Sequence, residues 1–283
     1  MAVSEAAPVA TTFALASGTV AAEVTGPEGA PLVVGMPGLS ANLRSFDRVF
    51  AALPGHRRLA FDPRGRGRSE QTPAGTYGWP SHVADILEMA DRLGASTFDL
   101  VGWSMGGWVA MELCRLAPGR VRRLVLIDGG GIPDQQAMPV VYAGLERLNV
   151  VWPSRERFFE LVSPLPHYAP WNDFWQGYFE YELEDVAGGV RTRTQRPGPW
   201  EDEMYRLSRD PYEVWPAVTM PSLLVRAQRE ILPGMKYIFN AADRDRFLER
   251  VPDSRCVEVD ANHYTIAADV DAIAAIRSFL EED

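Results

Sequence analysis

The chain has 283 residues, which suits one large α/β domain with an insertion better than two independent domains. Its 46% hydrophobic and 23% charged residues are typical of a soluble globular protein. The net charge of −10 is unfavourable for a surface that follows nucleic-acid phosphates, and no apolar run approaches the roughly 20 residues of a membrane helix. The composition therefore predicts neither a nucleic-acid nor a membrane partner.

The N-terminal segment and the cysteines favour a cytoplasmic location. Residues 1–10 lack the basic start and the apolar core of a signal peptide, and we expect them to form a loose tail. Cys114 and Cys256 lie far apart in the sequence, and we interpret both as small buried apolar residues rather than as a disulfide.

Strands and helices alternate through the first half of the chain. Apolar and polar residues alternate on both sides of Ser17-Gly18, which predicts an antiparallel hairpin. Continuous apolar runs predict strands that are covered on both faces, and apolar residues at helical spacing predict helices between them. These are strands over residues 31–36, 57–61, 97–103 and 121–127, and helices over residues 41–53, 79–93 and 105–117.

One strand-to-helix turn carries the pattern of a catalytic serine. Residues 102–106 are Gly-Trp-Ser-Met-Gly, between a predicted strand and a predicted helix. A serine on so sharp a turn has a strained backbone, and the glycines two residues before and after it let the strand and the helix approach each other. The turn also places the amide of Met105 at a helix N-terminus, where it can donate to an oxyanion. The pattern predicts that Ser104 is a nucleophile.

Residues 131–217 interrupt the alternation and are rich in aromatic side chains. They hold five of the eight tryptophans and six of the nine tyrosines. Trp171, Trp175 and Tyr178 follow one another at helical spacing, which is typical of a core-facing helix. We expect some of these rings to form the roof of an apolar pocket and predict Trp103, Trp171 and Trp175 as substrate-binding residues.

The core pattern resumes after this segment. Residues 194–200, which are rich in proline and glycine, are interpreted as a mobile connection. The remaining elements are strands over residues 221–227 and 255–260, and helices over residues 240–251 and 265–280.

Five blocks, in this order, resemble the α/β-hydrolase superfamily along nearly the whole chain. They are residues 61–69, which resemble the family's Asp-x-x-Gly-x-Gly-x-Ser block, the serine turn at 102–106, the strands at 124–128 and 221–226, and the loop Asn262-His263-Tyr264. The resemblance implies an α/β fold with a mostly parallel eight-stranded sheet flanked by helices. Residues 1–130 and 218–283 would form the core, and residues 131–217 a helical cap. The family keeps the block at 61–69 for structure, so we interpret its three arginines as a loop-organising network rather than a phosphate site.

The order Ser–acid–His of this fold selects one of the four histidines as the base that activates Ser104. His263 alone follows the last predicted strand. His56 precedes a strand and His82 begins a helix that we expect at the surface, so both are interpreted as structural. His167 lies in the predicted cap, where it could touch a substrate.

The resemblance also implies an oxyanion hole. The amide of Met105 would be one donor, and the amide of Leu39, or alternatively of Gly38, would be the other. Many members carry His-Gly where this chain has Pro37-Gly38, and a proline has no amide hydrogen to donate.

Two residues are candidates for the acid that orients His263. Glu230 follows the strand at 221–227, which is the commoner position in the superfamily, but the loop after Arg226 lacks the usual Gly-x-x-Asp. Asp128 ends the strand before the predicted cap, where some branches carry the acid, including lactonases that resemble zearalenone hydrolases. We favour Asp128 over Glu230, although an aspartate at this position can also serve only as a loop cap.

Together these features predict a cofactor-free serine hydrolase that acts on a small-molecule ester or lactone with an apolar or aromatic portion. No two histidines have the spacing of metal ligands, so no metal is expected. Alternatives with the same triad are a C–C bond hydrolase and a non-hydrolytic lyase. A ligand-binding protein of this fold with little turnover is a further alternative.

Overall fold

A computed structural model describes residues 9–282, which contain ten strands. These are β1 (Val9–Leu15), β2 (Gly18–Thr25), β3 (Leu32–Met36), β4 (Arg57–Phe61), β5 (Phe98–Trp103), β6 (Val121–Ile127), β7 (Leu183–Val186), β8 (Gly189–Thr192), β9 (Ser222–Ala227) and β10 (Ser254–Val259). Eight of them form one sheet in the order β1-β2-β4-β3-β5-β6-β9-β10. β1, β2 and β4 pair antiparallel, and the other neighbours pair parallel. The predicted N-terminal tail lies largely outside the described residues.

Nine α-helices accompany these strands within the same residues. They are α1 (Asp47–Ala51), α2 (Trp79–Arg92), α3 (Met105–Leu116), α4 (Met138–Glu146), α5 (Arg155–Val162), α6 (Asp173–Glu182), α7 (Pro197–Leu207), α8 (Ala241–Arg250) and α9 (Val270–Leu280). α2, α3 and α8 share one apolar cluster with the sheet, and α1 and α9 share another. Successive residues of a strand alternate between the clusters: Leu100 belongs to the first and Val101 to the second. The sheet is therefore covered on both faces, as its continuous apolar runs predict.

The segment between β6 and β9, which we call the insertion, differs from its prediction in two ways. It was expected to be helical, but β7 and β8 form a two-stranded antiparallel sheet within it. Residues 194–200 were expected to be a mobile connection, but Pro197 begins helix α7. A proline fits the first turn of a helix because the amide hydrogen it lacks would have no partner there. The prediction was wrong because it treated proline only as a helix breaker.

Two predicted helices are shorter than expected. The segment at 41–53 forms a 3₁₀ turn, Leu43–Phe46, followed by the short α1. The segment at 265–280 is divided at Asp269, whose carboxylate accepts hydrogen bonds from the amides of Asp271 and Ala272. This N-cap starts α9 afresh after the 3₁₀ turn Thr265–Ala268.

A buried polar cluster ties the insertion to the core. Asp202 on α7 forms an ion pair with Arg66, accepts a hydrogen bond from the amide of Gly78, and lies 2.9 Å from the Nε2 atom of His82. The side chains of Asp202, Arg66 and His82 are fully buried. Burial alone would raise the pKa of Asp202, but the charges of His82 and Arg66 hold this pKa well below its usual range. The expectation that His82 lies on a surface helix was therefore wrong, because α7 covers that face of α2.

The loop at 61–69 is organised by its arginines, in agreement with its interpretation as a structural network. Arg64 forms two hydrogen bonds with Asp85, at 2.8 and 2.7 Å. The guanidinium of Arg68 lies over the ring of Tyr181, 4.6 Å from its centroid. Because these cations already have partners within the protein, they are not available to bind a phosphate.

Candidate active site

Ser104 lies on a strained turn between β5 and α3. Its backbone has φ 55° and ψ −119°, a conformation that costs free energy and is found at functional turns. A Cβ atom on Gly102 would lie 2.3 Å from the carbonyl oxygen of Gly106, and one on Gly106 would lie 2.0 Å from that of Met36. Only glycine fits at either position, which explains the spacing of the motif. The turn leaves the serine side chain partly accessible at the end of the sheet.

His263 and Asp128 complete a hydrogen-bonded series with Ser104. The Nε2 atom of His263 is 3.0 Å from the Oγ atom of Ser104, and its Nδ1 atom is 2.8 Å from the Oδ2 atom of Asp128. The other carboxylate oxygen of Asp128 accepts a hydrogen bond from the amide of Ala227, at 3.1 Å. Since a carboxylate only accepts hydrogen bonds, Nδ1 carries the proton and Nε2 is free to accept one from the serine hydroxyl.

Glu230, the alternative acid, does not contact His263. Its carboxylate accepts a hydrogen bond from the amide of Gly234 at 2.6 Å and lies 3.3 Å from the ammonium of Lys236. The hydrogen bond to Gly234, together with Lys236, lowers the pKa of Glu230. These contacts are those of a residue that stabilises its own loop.

The backbone amide of Met105, at the N-terminus of α3, has no acceptor among residues 9–282. The same is true of the amides of Leu39 and Gly38, the two candidates for the second donor. The carbonyl of Leu39 is fixed by the guanidinium of Arg66, with distances of 3.1 and 2.9 Å. Gly38 is also close, because a Cβ atom there would lie 3.3 Å from the Cβ atom of Ser104. The loop after β3 thus lies beside the serine, with its orientation held by a buried arginine.

The serine opens into a cavity shared by the core and the insertion. Its volume is about 90 Å³, room for a few water molecules. Two of the three predicted substrate-binding tryptophans, Trp103 and Trp175, line it, and the Nε1 atom of Trp103 also donates to the carbonyl of His263 at 3.2 Å. Further aromatic lining residues are Phe158, Tyr168, Tyr178, Phe179 and Tyr264.

Trp171, the third predicted tryptophan, is not among the lining residues. Its ring stacks on Phe179, with centroids 5.8 Å apart, and its Nε1 atom donates to Gln176 at 3.3 Å. Trp171 therefore lies behind the cavity wall. Its assignment to the pocket was wrong, because Trp171 precedes Asn172, the N-cap of α6, and lies outside the helix that carries Trp175.

Sequence reasoning missed two charged residues in the cavity lining, Arg147 and Glu182. Burial raises the pKa of Glu182 to about 7, although its carboxylate accepts hydrogen bonds from Asn42 and from the amide of Thr194, each at 2.8 Å. Arg147 follows α4 and has no carboxylate within 4 Å among residues 9–282. No motif marks either residue, because both reach the cavity through the fold of the insertion.

The remaining predicted site features are placed as follows. His167 is buried and is not among the lining residues, and burial lowers its pKa to about 4. The rings nearest to His167 are those of Tyr168 and Tyr264, with centroids 4.3 and 4.8 Å away.

Within the described chain, no three His, Cys, Asp or Glu side chains are grouped as metal ligands would be. Cys114 and Cys256 are both unpaired.

The sheet order, the serine turn after β5 and the histidine after β10 are those of the α/β-hydrolase fold. The family model described as "alpha/beta hydrolase fold" matches residues 31–181, which is more than half of the chain. The chain belongs to this family.

Known relatives extend the comparison. A putative carbamate hydrolase from Variovorax paradoxus is 30% identical over 133 residues, 46% of this chain and 50% of the relative. A 3-hydroxybutyrate-oligomer hydrolase from Cupriavidus necator is 41% identical over 95 residues, 33% of this chain and 32% of the relative. The chain thus matches half or less of the length of these curated relatives.

Solved structures share the fold along almost the whole chain. E-2-(acetamidomethylene)succinate hydrolase has a TM-score of 0.86 at 22% identity and covers 97% of this chain and 100% of its own. The enol-lactonase of Burkholderia xenovorans has a TM-score of 0.72 at 20% identity and covers 96% of this chain and 100% of its own.

None of the helices in residues 9–282 is long and apolar enough to cross a membrane.

Proposed function

We propose that the protein is a serine hydrolase that cleaves a small ester or lactone with an apolar or aromatic portion. The observation that carries the proposal is the pair of distances that join Ser104 to His263 and His263 to Asp128, 3.0 and 2.8 Å. A serine hydroxyl is a poor nucleophile at neutral pH, and a base within hydrogen-bond distance is what activates it.

In the first half of the reaction, the Oγ atom of Ser104 attacks the substrate carbonyl carbon while its proton passes to Nε2 of His263. Asp128 stabilises the imidazolium that forms. The carbonyl oxygen, on which negative charge develops, accepts hydrogen bonds from the amides of Met105 and Leu39, which have no other acceptor. Collapse of this intermediate breaks the bond to the alcohol, which leaves with the proton from His263, and an acyl-enzyme remains.

In the second half, His263 takes a proton from water, and the resulting hydroxide attacks the acyl carbonyl. Release of the acid returns the proton to Ser104. In a lactone the alcohol and the acid belong to one molecule, so the product is a single hydroxy acid. The reaction uses groups of this chain alone and requires no cofactor.

The lining of the cavity favours an apolar or aromatic substrate. Trp175, Tyr178 and Phe179 supply broad apolar surfaces to this lining. The names of two similar proteins, the 3-hydroxybutyrate-oligomer hydrolase and the enol-lactonase, are compatible with ester or lactone cleavage. They support the reaction class and leave the substrate to be found by experiment.

Labelling with a fluorophosphonate probe tests the nucleophile directly. We expect the folded wild-type protein to be labelled at Ser104, and Ser104→Ala to lose both labelling and turnover, the latter by 10⁴-fold or more. Ser40 also lines the cavity, so Ser40→Ala is the matched control and should still be labelled. Absence of labelling at Ser104 in folded wild-type protein would refute the proposed function.

Screening separates this function from its alternatives. Short p-nitrophenyl esters and aromatic lactones should be hydrolysed, with incorporation of oxygen from labelled water into the acid product. Product formation without that oxygen would indicate a lyase. Stoichiometric binding without turnover, in a protein whose Ser104 reacts with the probe, would indicate a ligand-binding role.

A further inference from the structure

Arg147 places a positive charge in the lining of the catalytic cavity. It is the residue directly after α4 and lines the same space as Ser104, His263 and Trp175. Among the lining residues in the described chain, it is the only arginine or lysine. Its charge is therefore the one permanent cation that a substrate in this cavity would meet.

This cation lacks the carboxylate partner that neighbouring arginines have. Its hydrogen bonds, to the carbonyl of Ala143 at 3.4 Å and to the hydroxyl of Tyr168 at 3.5 Å, are both long. The adjacent Glu146 instead forms an ion pair with Arg196, at 2.9 Å. No carboxylate of residues 9–282 lies within 4 Å of Arg147, so most of its five N–H donors are free.

Arg206, another arginine of the insertion, shows how a carboxylate satisfies a guanidinium. Arg206 binds the carboxylate of Glu203 through two parallel hydrogen bonds, at 2.8 and 2.6 Å. This fork-to-carboxylate arrangement is the one that a guanidinium favours. Arg147 lines the cavity and has no such carboxylate partner among residues 9–282.

Other polar groups around Arg147 also lack partners. The hydroxyl of Tyr264, a lining residue, makes no hydrogen bond with residues 9–282. Both ring nitrogens of the buried His167 are without a partner. His167 is close enough to Arg147 for the positive charge to contribute to its lowered pKa, after burial. Buried polar groups are normally satisfied, so the free ring nitrogens of His167 leave hydrogen-bonding capacity near Arg147.

We propose that Arg147 binds an anionic group of the substrate, in first place a carboxylate, while Ser104 attacks the ester or lactone carbonyl. This inference rests on the proposed function and narrows it: the substrate carries an acid group in addition to its apolar body. The planar guanidinium accommodates a carboxylate through two hydrogen bonds.

Glu182, the carboxyl group that lines the same cavity, does not neutralise Arg147. Its oxygens accept hydrogen bonds from Asn42 and Thr194, and no ion pair joins it to the arginine. At neutral pH it is in part protonated, because burial raises its pKa to about 7. The charge of Arg147 therefore remains available to a ligand.

A binding comparison tests the inference without relying on turnover. Phenylacetate and phenylacetamide have nearly the same shape, but only the first is an anion. We expect titration calorimetry to show that phenylacetate binds the wild-type protein on the order of tenfold or more tightly than phenylacetamide. Equal affinities, or no detectable binding of phenylacetate, would overturn the proposal.

The matched variants are Arg147→Met and Arg157→Met. Arg157 lies in the same insertion, but it is exposed and pairs with Glu160. We expect Arg147→Met to lose the preference for phenylacetate and Arg157→Met to keep it. Arg147→Lys, which keeps the charge without the fork, should retain part of it. An unchanged preference in Arg147→Met, with a circular-dichroism spectrum like that of the wild type, would contradict the proposal.

Kinetics on a pair of esters connects the site to catalysis. We compare the p-nitrophenyl monoester of glutaric acid, which carries a free carboxylate, with p-nitrophenyl valerate, which is neutral. Arg147→Met should lower kcat/KM for the acid monoester ten- to a hundredfold, mainly through KM, and change that for the neutral ester by no more than about twofold. An equal loss for both esters would refute the assignment of Arg147 to the anion.

The two proposals fail in different ways. If Ser104 reacts with the fluorophosphonate probe but Arg147→Met leaves the preference for anions unchanged, the hydrolase assignment stands and the anion site is wrong. If phenylacetate binds through Arg147 but Ser104 does not react, the anion site stands and the protein is not a serine hydrolase.

Discussion

The serine turn and the insertion contribute to the same cavity, but their geometries arise differently. At the turn, the main constraint comes from residues close in sequence: a Cβ atom on Gly102 would lie 2.3 Å from the carbonyl oxygen of Gly106, and Ser104 takes the strained backbone between these two glycines. In the insertion, the position of α7 depends on the pair of Asp202 with Arg66, which are 136 residues apart. A short motif can therefore specify the nucleophile, whereas the cavity wall depends on long-range contacts.

The choice of acid tests the catalytic side of this comparison and has the largest expected effect. Asp128→Asn keeps the shape of the side chain but cannot stabilise an imidazolium, so kcat should fall by about 10⁴-fold. Glu230→Gln is the matched control, and because Glu230 contacts Gly234 and Lys236 instead of His263, it should change kcat little. Steady-state kinetics on proteins with unchanged circular dichroism measure both. The opposite ranking would assign the acid to Glu230.

The ion pair of Asp202 with Arg66, which ties the insertion to the core, has the next largest expected effect. Asp202→Ala leaves Arg66 buried without its counter-charge, and such a loss costs about 3–5 kcal/mol of unfolding free energy. Glu160→Ala removes an exposed partner of Arg157 from the same insertion and should cost no more than about 1 kcal/mol. Urea denaturation of the two variants measures the contrast. Equal losses would show that the buried pair does not secure the insertion.

The two tryptophans of α6 and its preceding loop sharpen the comparison within the insertion. Trp175 is 2% exposed and lines the cavity, so Trp175→Ala should cost about 3–5 kcal/mol of stability and also change KM. Trp171 is only partly buried and lies behind the wall, so Trp171→Ala should cost less stability and leave KM unchanged. Thermal melts beside kinetics separate the effects. A larger change in KM for Trp171→Ala than for Trp175→Ala would show that Trp171 does contribute to substrate binding.

The sequence was sufficient for the sheet and for the residues at its carboxyl edge. Continuous apolar runs mark strands that are buried on both faces, and Ser104, Asp128 and His263 each follow a strand at the carboxyl edge of the sheet. Periodicity also marked a core-facing helix at Trp175. These signals are local or depend only on chain order, and the structure brings the three residues into hydrogen-bond contact.

The sequence was not sufficient for the residues whose environment depends on distant contacts. The burial of His82 follows from its contact with Asp202, 120 residues away, and no local pattern near His82 indicates it. No motif distinguishes Arg147 and Glu182 from ordinary surface residues, yet the fold of the insertion places both in the cavity lining. Helical spacing predicted Trp171 and Trp175 on one helix face, but Trp171 lies before the N-cap Asn172 and outside α6.

Glu182 gives the smallest expected effect and tests whether a buried cavity carboxyl limits stability. Burial raises its pKa from 4.5 to about 7 in the folded protein, so between these values the folded state binds more protons than the unfolded state. The contribution of Glu182 to the free energy of unfolding therefore falls as pH rises through this window and levels off above it. Glu182→Gln removes this titration, although the amide cannot accept both hydrogen bonds from Asn42 and Thr194 and has its own constant cost.

The difference between the two proteins isolates the titration from that constant cost. Relative to Glu182→Gln, the wild type should lose on the order of 2 kcal/mol of unfolding free energy between pH 5 and pH 8. Urea denaturation at several pH values measures this difference, and Glu180→Gln, an exposed change on the same helix, is the control that should follow the wild type. If the unfolding free energies of the wild type and Glu182→Gln change in parallel across this pH range, the carboxyl group of Glu182 is already ionised in the folded protein. In that case Glu182 would present a full negative charge to the cavity beside Arg147, and the preference for an anionic ligand should weaken accordingly.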